Sequence, residues 1–272
     1  VVFRVDMGLR PEGKSGDLAC SLRSAATYYE YWGQSWERAA MLKARPVAGS
    51  IELGNQVLRA IEPFVYRKYL DYNLIEDMMT MKKKIDASIA RQQESESNIK
   101  LGRGGIREIE FFIQALQLVY AGKNPHLRER NSLKALASLR DAKLIGEDDA
   151  QALTEAYRFL RTVEHRIQVV QERQTHSLPK KDDEMLALAR RCGFLRKDGS
   201  EKFREALEHH RNRVSTVYGG LFLSRDERLR EEVRPETYSF FDRSADPDLI
   251  KDMLAERRSE ERRVGKECRS RW

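Results

Sequence analysis

The chain has 272 residues, 40% hydrophobic and 34% charged, a composition that fits a globular protein of one large domain or two smaller ones. Its apolar runs are short and interrupted by charge, and no charged-then-apolar leader opens it, so neither a membrane span nor a secretory route is expected, and a cytoplasmic location is. The net charge is +7, but residues 258–272, "RSEERRVGKECRSRW", carry six Lys/Arg and three Glu; without them it is +4, which demands no nucleic acid.

Residues 1–49 read as an α/β unit. "VVFRVDMGL" alternates like a strand, with Val1, Phe3, Val5 and Met7 on one face, and "RPEGKSGD" supplies turn residues. A helix covers "RSAATYYEYWGQSWERAA", with a break near Gly33. "MLKARPVAG" is a second strand-like run that places Lys43 and Arg45 on one face. The chain starts at Val1, inside a strand-like run and without a methionine, which suggests part of a longer protein.

Residues 50–257 read as a helical bundle. "SIELGNQVLRAIEPFVYR" opens with a Ser cap and is expected to be interrupted at Pro63. "YLDYNLIEDMMTMKKKIDASIARQQ" is a long amphipathic helix, and "IREIEFFIQALQLVYAG" is another, ended by Gly122 with Pro125 beyond. "SLKALASLRDAKLI" precedes a helix over "EDDAQALTEAYRFLRTVEHRIQVVQE", whose Leu153, Ala156, Leu160, Val163, Ile167 and Val170 form an apolar stripe. "DDEMLALARRCGF" and "SEKFREALEHHRNRVSTVYGGLF" follow, then a weaker helix near residues 246–255. Residues 258–272 lack periodicity and resemble the translation of a sequencing-library adapter; they are expected to be an artefact. Outside them, Cys20 and Cys192 are far apart with no CxxC or His-rich spacing, and are expected to be buried or half-buried thiols rather than a disulfide or zinc site.

Four stretches depart from what a plain bundle needs. Asp6 lies in an otherwise apolar strand, where an unpaired buried carboxylate costs several kcal/mol, so it faces solvent, Arg4, Arg10 or a metal ion. Lys43 and Arg45 either meet phosphate oxygens or edge a solvated strand. "NIKLGRGGIREIEF" sets Gly102, Gly104 and Gly105 before a helix, with Lys100, Arg103 and Arg107 around them. Such a loop either cradles an anion at the helix start or packs tightly and needs no ligand. Within that helix Arg107, Glu110, Gln114 and Gln117 form a polar stripe. In "EAYRFLRTVEHRIQVVQERQTHSLP", Arg158, Arg161, His165 and Gln168 share a solvated stripe, with Gln174 and His176 beyond it; His165 and His176 are weaker candidates for proton transfer.

In this order, "RVDMGLRPEGKSG", "YYEYWGQSWERAAMLKARPVAG", "IKLGRGGIREIEF" and "AYRFLRTVEHRIQVVQERQTHSLP" resemble the glutamine synthetase adenylyltransferase family, over nearly all of residues 1–225. The resemblance implies an α+β, mainly α fold, in which a partial polymerase-β-like nucleotidyltransferase unit is followed by a helical domain. It implies the deadenylylating head of a two-headed enzyme, since "GGIREIEF" and "QTHSLP" look more like that head. The implied reaction is Mg²⁺-dependent phosphorolysis, removing AMP from a glutamine synthetase tyrosine as ADP. Asp6 becomes the third metal-binding carboxylate and, with Arg10, the catalytic pair; its two companions belong to a G-S-D-x-D motif expected to precede Val1, so these residues alone are expected to be inactive. Lys43, Arg45, Lys100, Gly102, Gly104, Gly105 and Arg107 become candidates for nucleotide or phosphate contacts. The implied partners are glutamine synthetase, a PII signal protein, ADP or ATP, and phosphate, with no nucleic acid or membrane. Gly8 departs from the family pattern, which usually has Arg there. Two alternatives stay open: an adenylylating head that uses ATP, or a non-catalytic helical module that binds glutamine synthetase or a PII protein.

Overall fold

In the computed structural model, residues 7–67, 97–171 and 175–232 are described. The elements are α1 (Leu22–Tyr31), α2 (Ser35–Met41), α3 (Ile51–Val65), α4 (Ile106–Tyr120), α5 (Ser132–Asp141), α6 (Glu147–Gln171), α7 (Asp182–Arg191) and α8 (Gly199–Glu232), with 3₁₀ turns at Gly13–Ser15 and Pro125–Leu127. Val1–Gly219 is one compact unit; of a second, Gly220–Trp272, only the helical residues 220–232 are described. The expected helices at 69–93 and 246–255, the strand residues before Met7, and the 258–272 tail lie outside the described residues.

The fold is mainly α, and its core is α4. Ile106, Ile109, Phe112, Ile113 and Leu116 are buried on one side, and Phe111, Ala115, Leu118 and Val119 on the others. A helix that is apolar nearly all round has to be covered nearly all round: α2, α5 and α6 pack on it. On α6, Leu153, Ala156, Leu160, Val163 and Ile167 are buried at spacings of three and four, which aligns them on one face. Each fully buried aliphatic side chain of this kind contributes about 1.5–3 kcal/mol relative to an exposed one. Val170, expected to extend the stripe, is half exposed, because the face has run past its partners. α5 and α7 complete the cover of α6.

α1 breaks where expected. A Cβ at Gly33 would lie 2.5 Å from the Phe64 ring, so the glycine lets α3 come close, and Tyr29 packs on the same ring at 5.2 Å. α1 therefore packs on α3 across the boundary expected at residues 49–50. Ser50 caps α3 through the Leu53 amide at 3.2 Å. Contrary to expectation, α3 runs through Pro63 to Val65. Pro63 falls near the helix end on the exposed side, while buried Ile61, Phe64 and Val65 hold the last turn.

The second strand expected over 41–49 does not form. Met41 ends α2, and the amides of Leu42, Lys43 and Ala44 turn back to the carbonyls of Arg38, Ala40 and Met41, leaving no extended run to pair. Cys20 is exposed rather than buried, and burial raises the pKa of the half-buried Cys192; both are free thiols.

Candidate functional site

Asp6 lies outside the described residues, but the loop that follows it is well defined. The Arg10 guanidinium donates to the carbonyls of Met7, Lys14 (3.2 Å) and Gly16 (3.0 Å), tying residues 7–16 into a closed turn. Gly16 permits this closure, since a Cβ there would sit 2.0 Å from the Pro11 carbonyl oxygen. Arg10 is thus spent on its own loop. Tyr28 fastens the loop to α1: its phenol oxygen accepts from the Glu12 backbone N–H and donates to Glu37 at 3.2 Å. Glu37 is 1% exposed and also accepts the Gln34 amide at 2.8 Å, which caps α2. A buried carboxylate is tolerated only when such bonds satisfy it.

Lys43 points inward. Its ammonium donates to the Arg130 carbonyl at 2.5 Å and to Ser132 Oγ at 3.2 Å, and burial lowers its pKa against the pull of Glu110 and Glu129. The lysine expected to meet phosphate is therefore an internal tie between the end of α2 and the start of α5. Arg45, expected on the same face, is exposed on the loop beyond. The tie continues: Ser132 donates to the Tyr157 oxygen, and Tyr157 donates to Glu110 at 3.1 Å.

The glycine loop is tightly packed against the body of the fold. The first amides of α4, those of Ile106, Arg107 and Glu108, are taken by the carbonyls of Ile99, Lys100 and Gly105. Asn98 Oδ1 accepts the amides of Lys100 and Leu101. Gly104 has φ +66°, and a Cβ there would come within 2.1 Å of the Arg211 carbonyl oxygen, so the loop rests directly on the α8 backbone. Gly105 is likewise enclosed by the Gly102, Lys100 and Ile99 carbonyls, and Gly102 is buried. Arg107 is exposed. Arg211, 9% exposed, donates to the Asn98 carbonyl at 2.7 Å, and Arg103 donates to Ser215 at 3.0 Å.

The third and fourth stretches meet. Ile99 N–H donates to the His176 carbonyl at 2.9 Å and Leu178 N–H to that of Ser97 at 2.8 Å, around an antiparallel bridge between Asn98 and Ser177. This sets His176 Nδ1 2.9 Å from Glu164 Oε1, while Arg161 reaches the other oxygen at 2.6 Å. Glu164 is 2% exposed. Burial, then the Lys100 charge, holds His176 below its ordinary pKa of 6.5, only partly offset by Glu164. Lys100 thus joins the cluster, whereas Arg158 and His165 remain exposed, His165 with Arg161 at 3.4 Å.

A polar seam therefore runs from Lys43 through Ser132, Tyr157 and Glu110; further along α6, Arg161 and Glu164 meet His176, with Lys100 beside it, both of these on the segments joined by the Asn98–Ser177 bridge. Three of its members, Ser132, Tyr157 and Glu164, were invisible as candidates because a polar residue in an amphipathic pattern reads as solvent-facing. Gln117 went unseen for the same reason: it is 1% exposed and donates to the carbonyls of Leu127 and Glu129, both at 2.7 Å. The faint signal was position, since each lies inside or beside an apolar stripe. Among the described residues no group of three or more His, Cys, Asp or Glu is arranged to hold a metal ion, and no helix is long and apolar enough to cross a membrane.

Residues 1–60 match the family model for glutamate-ammonia ligase adenylyltransferase, and residues 79–222 that for PII-uridylyltransferase. The chain is 45% identical over 257 residues to a bifunctional glutamine synthetase adenylyltransferase/adenylyl-removing enzyme of Agrobacterium fabrum, covering 93% of this chain and 25% of that protein. Proteins of the same description from Rhizobium meliloti and Hahella chejuensis are 41% and 42% identical, over 93% and 87% of this chain and 25% and 24% of theirs. The chain spans about a quarter of the length of these curated relatives.

Proposed function

Because the chain belongs to the family of bifunctional glutamine synthetase adenylyltransferase/adenylyl-removing enzymes, we propose that it forms part of the head that removes AMP from glutamine synthetase. An oxygen of inorganic phosphate attacks the phosphorus of the AMP–tyrosine ester. The bond from phosphorus to the tyrosine oxygen breaks, ADP leaves, and the tyrosine oxygen takes up a proton. What supports the choice of head is the resemblance of "GGIREIEF" and "QTHSLP" to the deadenylylating head; the loop before the first stretch pairs with the second through the Asn98–Ser177 bridge. The helical region by itself does not choose the reaction, as it also matches a uridylyltransferase model.

Mg²⁺ is proposed to bind Asp6 together with carboxylates that are not among the described residues; a hard cation with carboxylate ligands would offset charge at the phosphorus. The described residues have supporting work. Arg10 closes the loop after Asp6, and Tyr28 and Glu37 fix that loop on α1 and α2. Arg45 and Arg107, exposed, are the proposed contacts to phosphate or to glutamine synthetase, and the Lys100 charge, after burial, lowers the pKa of His176. A PII protein as regulator belongs to the same proposal.

The test uses the full-length enzyme that carries this sequence. Asp6→Asn is expected to abolish phosphate-dependent release of AMP as ADP from adenylylated glutamine synthetase while leaving ATP-dependent adenylylation in place. Retained phosphorolysis sinks the role of Asp6; loss of adenylylation alone assigns these residues to the other head.

A further inference from the structure

The seam is not the only place where cations converge. The end of α2, one face of α3 and the loop before α5 enclose a cleft of about 260 Å³. Its floor is apolar, built from Leu42, Leu58, Ile61 and Val65, and its rim carries three guanidinium groups, those of Arg59, Arg128 and Arg130. Among the described residues Glu62 is the one carboxylate in the lining, and it is taken by Arg128 at 2.5 Å. The lining therefore keeps an excess of positive charge.

The arginines are held in different ways. Arg128 is fixed: Nε donates to the Ala121 carbonyl at 3.0 Å, one terminal nitrogen meets Glu62, and the guanidinium carbon stands 4.5 Å from the centre of the Tyr66 ring. Arg130 is tethered lightly, by one 3.3 Å bond to the Ala44 carbonyl, and its own carbonyl holds Lys43. Arg59 pairs at the surface with Glu52 at 3.0 Å. Arg128, Arg130 and Tyr66 line the same cleft; burial raises the pKa of the Tyr66 phenol, and the Arg128 and Arg130 charges pull against it. A guanidinium offers five N–H donors in a fixed plane, so these bonds to described residues leave part of each fork directed elsewhere.

We propose that this cleft binds a small oxyanion, a phosphate or carboxylate group held between Arg130 and Arg128 with Tyr66 beside it. At about 260 Å³ the cleft falls below the roughly 300–1,000 Å³ of drug-sized ligand sites, which suits a small ligand, and the guanidinium groups in its lining set the charge of that ligand. The inference rests on the cleft alone and stands whichever reaction the parent enzyme performs.

The experiment is a titration of the full-length enzyme, with inorganic phosphate in one arm and malonate in the other, at constant ionic strength. Binding is followed by calorimetry, and the same arms are run on Arg130→Gln and on Leu58→Trp, the second of which fills the cleft without touching a charge. Saturable binding in either arm that weakens at least tenfold in both variants, with circular dichroism unchanged, is the expected result. Phosphate alone or malonate alone names the source of the oxyanion. Phosphate bound at the reaction site gives a component that both variants keep; if every saturable component survives in both variants, or none is seen in either arm, the proposal is overturned.

Discussion

Residues 7–67 and 97–219 are built on different terms. In the later region apolar side chains are inside: Leu136, Leu139, Leu153, Leu160, Leu188 and Phe203 are fully buried, and only Val169, Val170 and Leu195 among large apolar residues are exposed. The earlier region leaves Met7, Leu9, Leu18, Tyr31, Trp32, Trp36, Val47, Ile51 and Leu53 exposed around a small cluster of Tyr29, Leu42, Ile61, Phe64 and Val65, and it buries Glu37 and Arg38 as the later one buries Glu164 and Arg211. Burial of a carboxylate has a desolvation cost that only placed hydrogen bonds offset, so the earlier region spends stability on fixing a loop. The later one supplies the stability that a bundle gains by packing.

The contrast has consequences that scale with it. Leu160→Ala, in the centre of α6, is expected to cost about 2–5 kcal/mol, read as a shifted denaturant midpoint; a loss under 1 kcal/mol would mean that the bundle core is not where the stability lies. Tyr28→Phe removes the donor to Glu37 and the acceptor for Glu12 at once, and is expected to cost about 1–2 kcal/mol while exposing the 7–16 loop to proteolysis. Intact resistance of the loop would place its anchor elsewhere.

The third consequence is in pH. His176, facing Glu164, Arg161 and Lys100, is held neutral in the fold, so below pH 6.5 the unfolded chain takes up a proton that the folded chain refuses. Stability therefore falls as pH drops through 6.5, and levels once folded His176 also titrates. His176→Asn is expected to flatten that fall between pH 6.5 and 5 without abolishing it, because burial against Phe159 also depresses His210. An unchanged slope in urea titrations excludes His176 as the source. The smallest effect belongs to Trp32→Ser, at 68% exposure: a change within about 0.5 kcal/mol in the same midpoint assay. A large loss there would show that the Trp32 ring is packed rather than exposed.

The helices were legible because their signals are local. Ser50 before an apolar period, Gly33 between two amphipathic runs and the stripe from Leu153 to Ile167 each need only neighbours in the chain to be read. Pro63 misled because it withholds only one amide, that facing the Arg59 carbonyl, and the burial of Ile61, Phe64 and Val65 holds the last turn regardless. Lys43 and Arg45 read as strand partners because alternation looks the same in an irregular segment, and only the carbonyl of Arg130, far along the chain, shows where Lys43 goes. The glycines before α4 were seen, but their reason was not, as it lies in the backbone of α8. Glu37, Glu164 and Gln117 were hidden by their own polarity: burial of such groups is decided by partners that no local pattern contains.

The contact between Gly104 and Arg211 carries one more meaning. Where side chains separate two elements, their spacing drifts as those side chains are exchanged over evolutionary time. Here one main chain rests on another, so the gap is set by peptide dimensions alone. Substitutions along the flank of α8 can accumulate without altering it, and the joint acts as a fixed fulcrum whose one dictated residue is the glycine at 104.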